Sequence, residues 1–96
     1  GINDLRMGTD PQKVIGHLKR IQEKCRAHGI TPILMTILPI NPENIEKYYG
    51  EHTSENWREA VDTVNAFIRS ESHIDTAAPF AAFPVMPTEL AMDGLH

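Results

Sequence analysis

Two short polar motifs stand near the two ends of the sequence, Gly1-Ile2-Asn3-Asp4 and Asp93-Gly94-Leu95-His96. Acyl transfer needs a nucleophile, a base that takes its proton, a carboxylate that orients the base, and donors for the oxyanion. His96 suits the base, and Asp93 can lie against its imidazole if the chain turns at Gly94. Asn3 can offer its side-chain N–H₂ group to a developing negative charge. Gly1 would let the backbone pass close to a substrate.

Each motif alone also has a plain interpretation as a turn or a cap. An Asp-x-x-His match arises readily by chance, and Gly-x-Asn-Asp is a common turn composition. Their conjunction is more informative, because the second motif follows the last predicted strand. Catalytic groups of α/β enzymes lie beyond the carboxyl ends of strands. The two motifs together therefore indicate acyl transfer.

The first half of the chain predicts a helix followed by a strand. Asp10 and Pro11 favour a helix start, and Gly29 favours its end, which gives a helix over 11–28. Its apolar stripe is predicted to be Val14, Leu18, Ile21 and Cys25. Residues 30–38 form an apolar run closed by Pro39, typical of a strand buried on both faces of a parallel sheet.

The remaining segments are predicted to be loops, a second helix and a short strand. Residues 1–9 and 39–53 have turn compositions, and the second of these loops contains Tyr48 and Tyr49. A helix over roughly 55–70, capped by Thr53 or Ser54, follows. Its predicted stripe is Trp57, Ala60, Val61, Val64, Phe67 and Ile68.

Strands that alternate with helices predict an α/β fold with a parallel sheet. A short strand around Ile74 is expected to be the last strand. Two strands do not make a stable doubly wound sheet by themselves. We therefore expect residues 1–96 to be the C-terminal part of a single domain, with further strands upstream of Gly1 or on another chain.

Composition excludes several classes of function. The 96 residues carry a net charge of −4 and no basic run, which argues against a nucleic-acid surface. Cys25 is the only cysteine, so no internal disulfide is expected, and no apolar stretch is long enough to span a membrane. His17, His28, His52 and His73 show no metal-ligand spacing. We expect no metal and no cofactor, and the compartment stays open.

The end motifs resemble conserved blocks of the SGNH (GDSL-type) ester hydrolases. Gly1-Ile2-Asn3-Asp4-Leu5 is similar to the third block of that family, and Asp93-Gly94-Leu95-His96 to the fifth. The interior is similar as well, in His28-Gly29, in residues 33–36 leading to Pro39, and in residues 64–68 before Ile74-Asp75. The resemblance covers essentially the whole chain.

This resemblance implies a three-layer α/β/α fold of flavodoxin-like type and a Ser-His-Asp mechanism. It implies that Asn3 donates to the oxyanion, that His96 is the base and that Asp93 orients it. The family's Gly-Asp-Ser block and the separate glycine of its second block are missing from these residues. These 96 residues are therefore expected to be inactive without a serine supplied from outside them.

Hydrolysis of a carboxylic ester, such as a sugar O-acetyl group or a lipid acyl ester, is the leading functional prediction. Tyr48 and Tyr49 are predicted to lie on the side where the site opens. They either shape the substrate pocket or only hold a long loop in place. The alternative function is a non-catalytic α/β interaction domain, truncated or degenerate, whose incomplete sheet edge pairs with a partner or with its own copy.

Overall fold

The computed structural model describes all 96 residues and shows an α/β arrangement of four helices and a two-stranded parallel sheet. The elements in chain order are α1 (Ile2–Arg6), α2 (Pro11–Ala27), β1 (Leu34–Met35), α3 (Pro42–Tyr49), α4 (Trp57–Arg69), β2 (His73–Ile74) and a 3₁₀ turn η1 (Ala78–Phe80). The α/β class and the parallel strand direction predicted from the sequence are confirmed. No helix has both the length and the apolar character needed to cross a membrane.

Helix α2 begins and ends where its local signals predict. The side chain of Asp10 accepts a hydrogen bond from the backbone N–H of Gln12 at 2.9 Å, and Pro11 occupies the first turn. The buried face consists of Val14, Ile15 and Gln22, with Leu18 partly buried. The predicted stripe was wrong at Ile21, which is 54% exposed because α4 packs against the neighbouring face.

Helix α4 buries the predicted stripe and supplies much of the core. Trp57, Ala60, Val61, Val64 and Ile68 are buried, and Phe67 packs partly against them. The capping prediction was wrong, since the helix begins after Asn56 with no side-chain cap.

The sheet is shorter than the apolar run predicts. The strand expected over 30–38 forms only at Leu34–Met35, where Leu34 pairs with His73 and Met35 with Ile74. Burial on both faces was also wrong, because Ile33, Met35 and Ile74 are 59%, 58% and 55% exposed. The helices cover the other face, where Leu34 and the buried Thr36 lie.

Two segments predicted as loops contain helices. Residues 2–6 form α1, which buries Leu5 and Arg6, and residues 42–49 form α3, which buries Ile45. The α3 helix begins at Asn41, whose side chain accepts from the Asn44 N–H at 3.2 Å. These two helices provide the frame of the candidate site.

The carboxyl end of β1 is tied to α4 by one buried side chain. Asn65 Oδ1 accepts from the Ile37 N–H at 2.7 Å, and Asn65 Nδ2 donates to the Ile37 carbonyl at 3.0 Å. The amide therefore satisfies both backbone groups of Ile37 just beyond the strand. This contact fixes the point from which the chain continues to α3.

Candidate functional site

The Asp93 carboxylate lies against the His96 imidazole, as their spacing allows. Asp93 Oδ2 is 2.8 Å from His96 Nδ1, while Asp93 Oδ1 accepts from the backbone N–H groups of Leu95 and His96 at 2.9 and 2.8 Å. A carboxylate accepts hydrogen bonds only, so Nδ1 carries the proton and Nε2 offers its lone pair. The His96 side chain is 72% exposed. The imidazole is thus oriented through one nitrogen and accessible to a reactant through the other.

The negative charge of Asp93 is held by four hydrogen bonds. They come from the backbone N–H groups of Leu95 and His96, the His96 imidazole and the Tyr49 hydroxyl. The pKa of Asp93 is lowered well below its usual range, chiefly by the His96 backbone N–H and next by the Tyr49 hydroxyl. Asp93 therefore stays ionised throughout the neutral range and presents a negative charge to the His96 imidazole.

The turn at Gly94 sets the position of this pair. Gly94 has φ +79° and is buried against the start of α3, where its carbonyl accepts from the Asn41 N–H at 2.9 Å. A Cβ at this position would overlap the Asn41 carbonyl oxygen and would lie 3.0 Å from the Asn44 Cβ. Only glycine tolerates both the backbone conformation and this close approach.

The opposite end of α3 contacts the same pair through Tyr49. The Tyr49 hydroxyl donates to Asp93 Oδ2 at 2.6 Å, and its oxygen lies 3.4 Å from His96 Nδ1. The hydrogen bond to Asp93 favours the neutral phenol and raises the pKa of Tyr49. Helix α3 therefore holds the Asp93–His96 pair at both of its ends.

Asn3 lies on α1 with its amide oriented by a neighbour one turn away. Arg6 Nε donates to Asn3 Oδ1 at 3.2 Å. Because the guanidinium can only donate, the acceptor must be the amide oxygen, and this determines which side of the amide carries nitrogen. Asn3 Nδ2 donates to no atom of the protein, and the residue is exposed. The Asn3 side chain therefore has an oriented N–H₂ group that is free to donate to a ligand.

Arg6 is in turn held by Glu51. Its NH2 nitrogen is 2.5 Å from Glu51 Oε2, and the Arg6 side chain is only 10% exposed. Glu51 lies two residues after Tyr49, across Gly50, which ends α3 with φ +68°. This short segment therefore contacts both halves of the site. Glu51 binds Arg6, which binds the oxyanion-donor candidate Asn3. Tyr49 binds the acid–base pair at Asp93.

Both halves of the site lie beyond the carboxyl end of β1. A Cβ on Gly1, at the start of α1, would lie 3.6 Å from Ile37 Cδ1. On the other side, Ile40 and Asn41 form backbone hydrogen bonds to Met86 and Gly94, respectively. This edge of a parallel sheet is where α/β folds gather their functional groups.

The other predicted site residues, Gly1 and Tyr48, have weaker structural links to the Asp93–His96 pair and to Asn3. At Gly1 a Cβ would make only ordinary contact, so nothing there requires glycine. Tyr48 forms no hydrogen bond to Asp93 or His96, and its ring lies 5.9 Å from Lys47 Nζ. The prediction that both tyrosines lie in an irregular loop was wrong, because they form the last turn of α3.

Sequence reasoning missed Arg6 and Glu51. No local pattern links them, since 45 positions separate the two residues. The one available signal was the spacing of Asn3 and Arg6, which brings them together only if residues 2–6 are helical. No group of three or more His, Cys, Asp or Glu side chains is arranged to hold a metal ion.

Comparisons of the chain with protein-family models, with curated proteins and with solved structures give no match.

Proposed function

We propose that this chain carries the base, its orienting acid and an oxyanion donor of an SGNH-type carboxylic ester hydrolase. The observation that carries the proposal is the Asp93–His96 pair, joined at 2.8 Å with Nε2 of the imidazole left accessible. The oriented amide of Asn3 supports it. The substrate is an ester of a small molecule, a carbohydrate or a lipid.

In the proposed reaction, a serine from outside these 96 residues attacks the acyl carbonyl. His96 Nε2 takes the serine proton as the new C–O bond forms, and Asn3 Nδ2 donates to the oxyanion. The intermediate then collapses, and His96 returns the proton to the departing alcohol. Water then attacks the acyl carbon of the acyl-serine while His96 takes its proton. The bond to the serine oxygen breaks, the acid leaves, and His96 returns the proton to that oxygen. Asp93 stays ionised and stabilises the imidazolium in both halves of the reaction.

We also propose that β1 and β2 belong to a larger flavodoxin-like sheet with helices on both faces. The exposed apolar side chains of Ile33, Met35 and Ile74 support this assignment, because a buried parallel sheet carries such residues on both faces. The unpaired edge of β1 supports it as well.

The test uses the full-length protein that includes the serine segment, with p-nitrophenyl acetate as substrate. His96→Ala should abolish turnover, since general acid–base catalysis contributes about 10²–10⁴-fold. His17→Ala is a matched control, because His17 is also exposed and lies on α2, outside the candidate site. Undiminished turnover by His96→Ala would remove His96 from the mechanism.

A second candidate is a non-catalytic domain that associates through its sheet. The same exposed apolar face and unpaired β1 edge favour this function. A solution mass of the 96-residue chain distinguishes the two. A folded dimer supports association, and a folded monomer that stays monomeric at high concentration contradicts it.

A further inference from the structure

We propose that Arg6 and Glu51 are positioning residues that hold the Asn3 amide with its nitrogen toward the oxyanion. The inference rests on the proposed function, because it concerns the donor of that same site. It assigns to these two residues a role in catalysis that does not require either to touch the substrate. The burial of Arg6, the hydrogen bonds of its guanidinium and the position of Glu51 each support this inference.

Arg6 is the only charged residue in the buried set, with 8% of its surface exposed. A charge in this position needs hydrogen-bonding partners, because burial of an uncompensated charge is costly. Its Nε bonds to Asn3 and its NH2 bonds to Glu51, at 3.2 and 2.5 Å. The third nitrogen has only the Met7 sulfur, a weak acceptor, at 3.7 Å. The two strong bonds therefore determine how the guanidinium lies.

The planar guanidinium transmits this orientation to Asn3. Nε and NH2 are fixed relative to each other in one rigid plane, so anchoring NH2 on Glu51 fixes the direction of the Nε–H bond. The Arg6 Nε–H group donates, so only the oxygen of the Asn3 amide can accept from it. Without this hydrogen bond, the exposed Asn3 side chain could turn its oxygen toward the substrate, where it would repel an oxyanion. The Glu51 contact thus selects one of the two amide orientations.

The position of Glu51 couples this arrangement to the acid–base pair. Residues Tyr49 to Glu51 form one turn, and the charges of Glu51 and Arg6 both influence the pKa of Tyr49, which bonds to Asp93. A shift of this turn would therefore disturb the donor and the base together. We accordingly expect the two halves of the site to depend on one backbone segment.

Glu51→Gln in the full-length protein is the sharpest test, since the Glu51 side chain is 47% exposed and its replacement should not prevent folding. With p-nitrophenyl acetate, kcat should fall by roughly three- to tenfold at unchanged KM, a part of the roughly 10²–10³ lost with a whole oxyanion donor. Glu55→Gln is the matched control. Glu55 is a nearby exposed carboxylate that forms no ion pair, so its loss should leave kcat unchanged.

A double-mutant cycle separates positioning from a merely structural role. In an Asn3→Ala background, Glu51→Gln should cause no further loss of kcat. An equal loss in both backgrounds, or no loss in either, overturns the proposal. If Asn3→Ala leaves kcat unchanged, the oxyanion role itself fails. If Asn3→Ala lowers kcat and Glu51→Gln does not, only the positioning role of Glu51 is contradicted.

Discussion

The phenolic hydroxyl of Tyr49 donates to Asp93 Oδ2 at 2.6 Å, the same oxygen that lies 2.8 Å from His96 Nδ1. The Asp93 carboxylate is therefore shared between a phenol and the candidate base. Sharing has two consequences. The hydrogen bond from the phenol restrains the carboxylate beside the imidazole, and the phenol also competes with His96 Nδ1 for the same oxygen.

Tyr49→Phe removes this hydrogen bond and keeps the ring. We expect kcat for p-nitrophenyl acetate in the full-length protein to fall by a factor of about 3–10, much less than the loss of the base itself. Tyr48→Phe is the matched control, since the Tyr48 hydroxyl forms no hydrogen bond to Asp93. Ultraviolet titration provides an independent check. The raised pKa of Tyr49 should return toward its ordinary value of about 10 in Asp93→Asn. Equal titration of Tyr49 in both proteins would show that the hydrogen bond does not form.

The lowered pKa of Asp93 predicts how the turn responds to acid. The folded protein holds the carboxylate ionised more strongly than the unfolded chain does, so its stabilising effect is complete above the unfolded value of about 3.9. That effect is lost as the pH falls through the lower folded value. The side-chain carboxyl carbon of Asp93, observed by NMR, should therefore show its protonation step only in strongly acidic solution. Asp93→Asn should abolish this step. A protonation step of Asp93 at or above the ordinary value of about 3.9 would contradict the assignment.

Gly94→Ala should distort the turn that carries the acid–base pair. The added Cβ would meet the Asn41 carbonyl in a backbone conformation with φ +79°, which favours glycine. Such strain costs on the order of 1–3 kcal/mol. Urea denaturation measures the loss, and the full-length protein should lose turnover with it.

Gly16→Ala provides the opposite control within the same chain. Gly16 lies inside α2, and apart from the backbone of that helix nothing approaches within 4 Å of an added Cβ. Alanine there should stabilise the protein by about 0.5–1 kcal/mol, because glycine loses more backbone freedom on folding. If both substitutions destabilise equally, the close contact at Gly94 is not the cause.

Local signals explain which elements the sequence predicts. Helix α2 follows from Asp10, Pro11 and Gly29, and α4 follows from its apolar stripe, because caps and periodicity depend only on near neighbours. Helix α3 carries the same kind of start, Asn41 followed by Pro42, yet its eight residues bury only Ile45. Because this segment shows so little apolar periodicity, its turn-forming residues favoured the prediction of a loop in spite of the Asn41 cap.

Long-range contacts explain what the sequence leaves hidden. The approach of Asp93 to His96 is predictable, since a three-residue spacing across a glycine needs only a turn. The bond between Arg6 and Glu51 depends on how α1 and α3 pack, and no spacing encodes it. The apolar run 30–38 correctly indicates a strand at its centre. The length of that strand depends on neighbouring strands, because extended backbone needs hydrogen-bonding partners for its N–H and C=O groups.

The exposed face of the sheet yields a prediction that bears on both candidate functions. Met35 and Ile74 lie side by side on adjacent strands and are 58% and 55% exposed. If this face binds a partner or another copy of the chain, Met35→Glu should weaken association because a charge there would lose its hydration on contact. Analytical ultracentrifugation measures the monomer–dimer equilibrium, and circular dichroism verifies that the variant remains folded.

Leu90→Glu is the control for this face, since Leu90 is 61% exposed outside the sheet. Association that is weakened by Met35→Glu and not by Leu90→Glu identifies the sheet face as the contact. If neither variant alters the mass distribution, the chain associates elsewhere or not at all. If the chain is instead part of the proposed ester hydrolase, Met35→Glu in the full-length protein should lower stability, because a flavodoxin-like arrangement would bury this face against further helices. The two outcomes therefore distinguish an interaction domain from part of an enzyme.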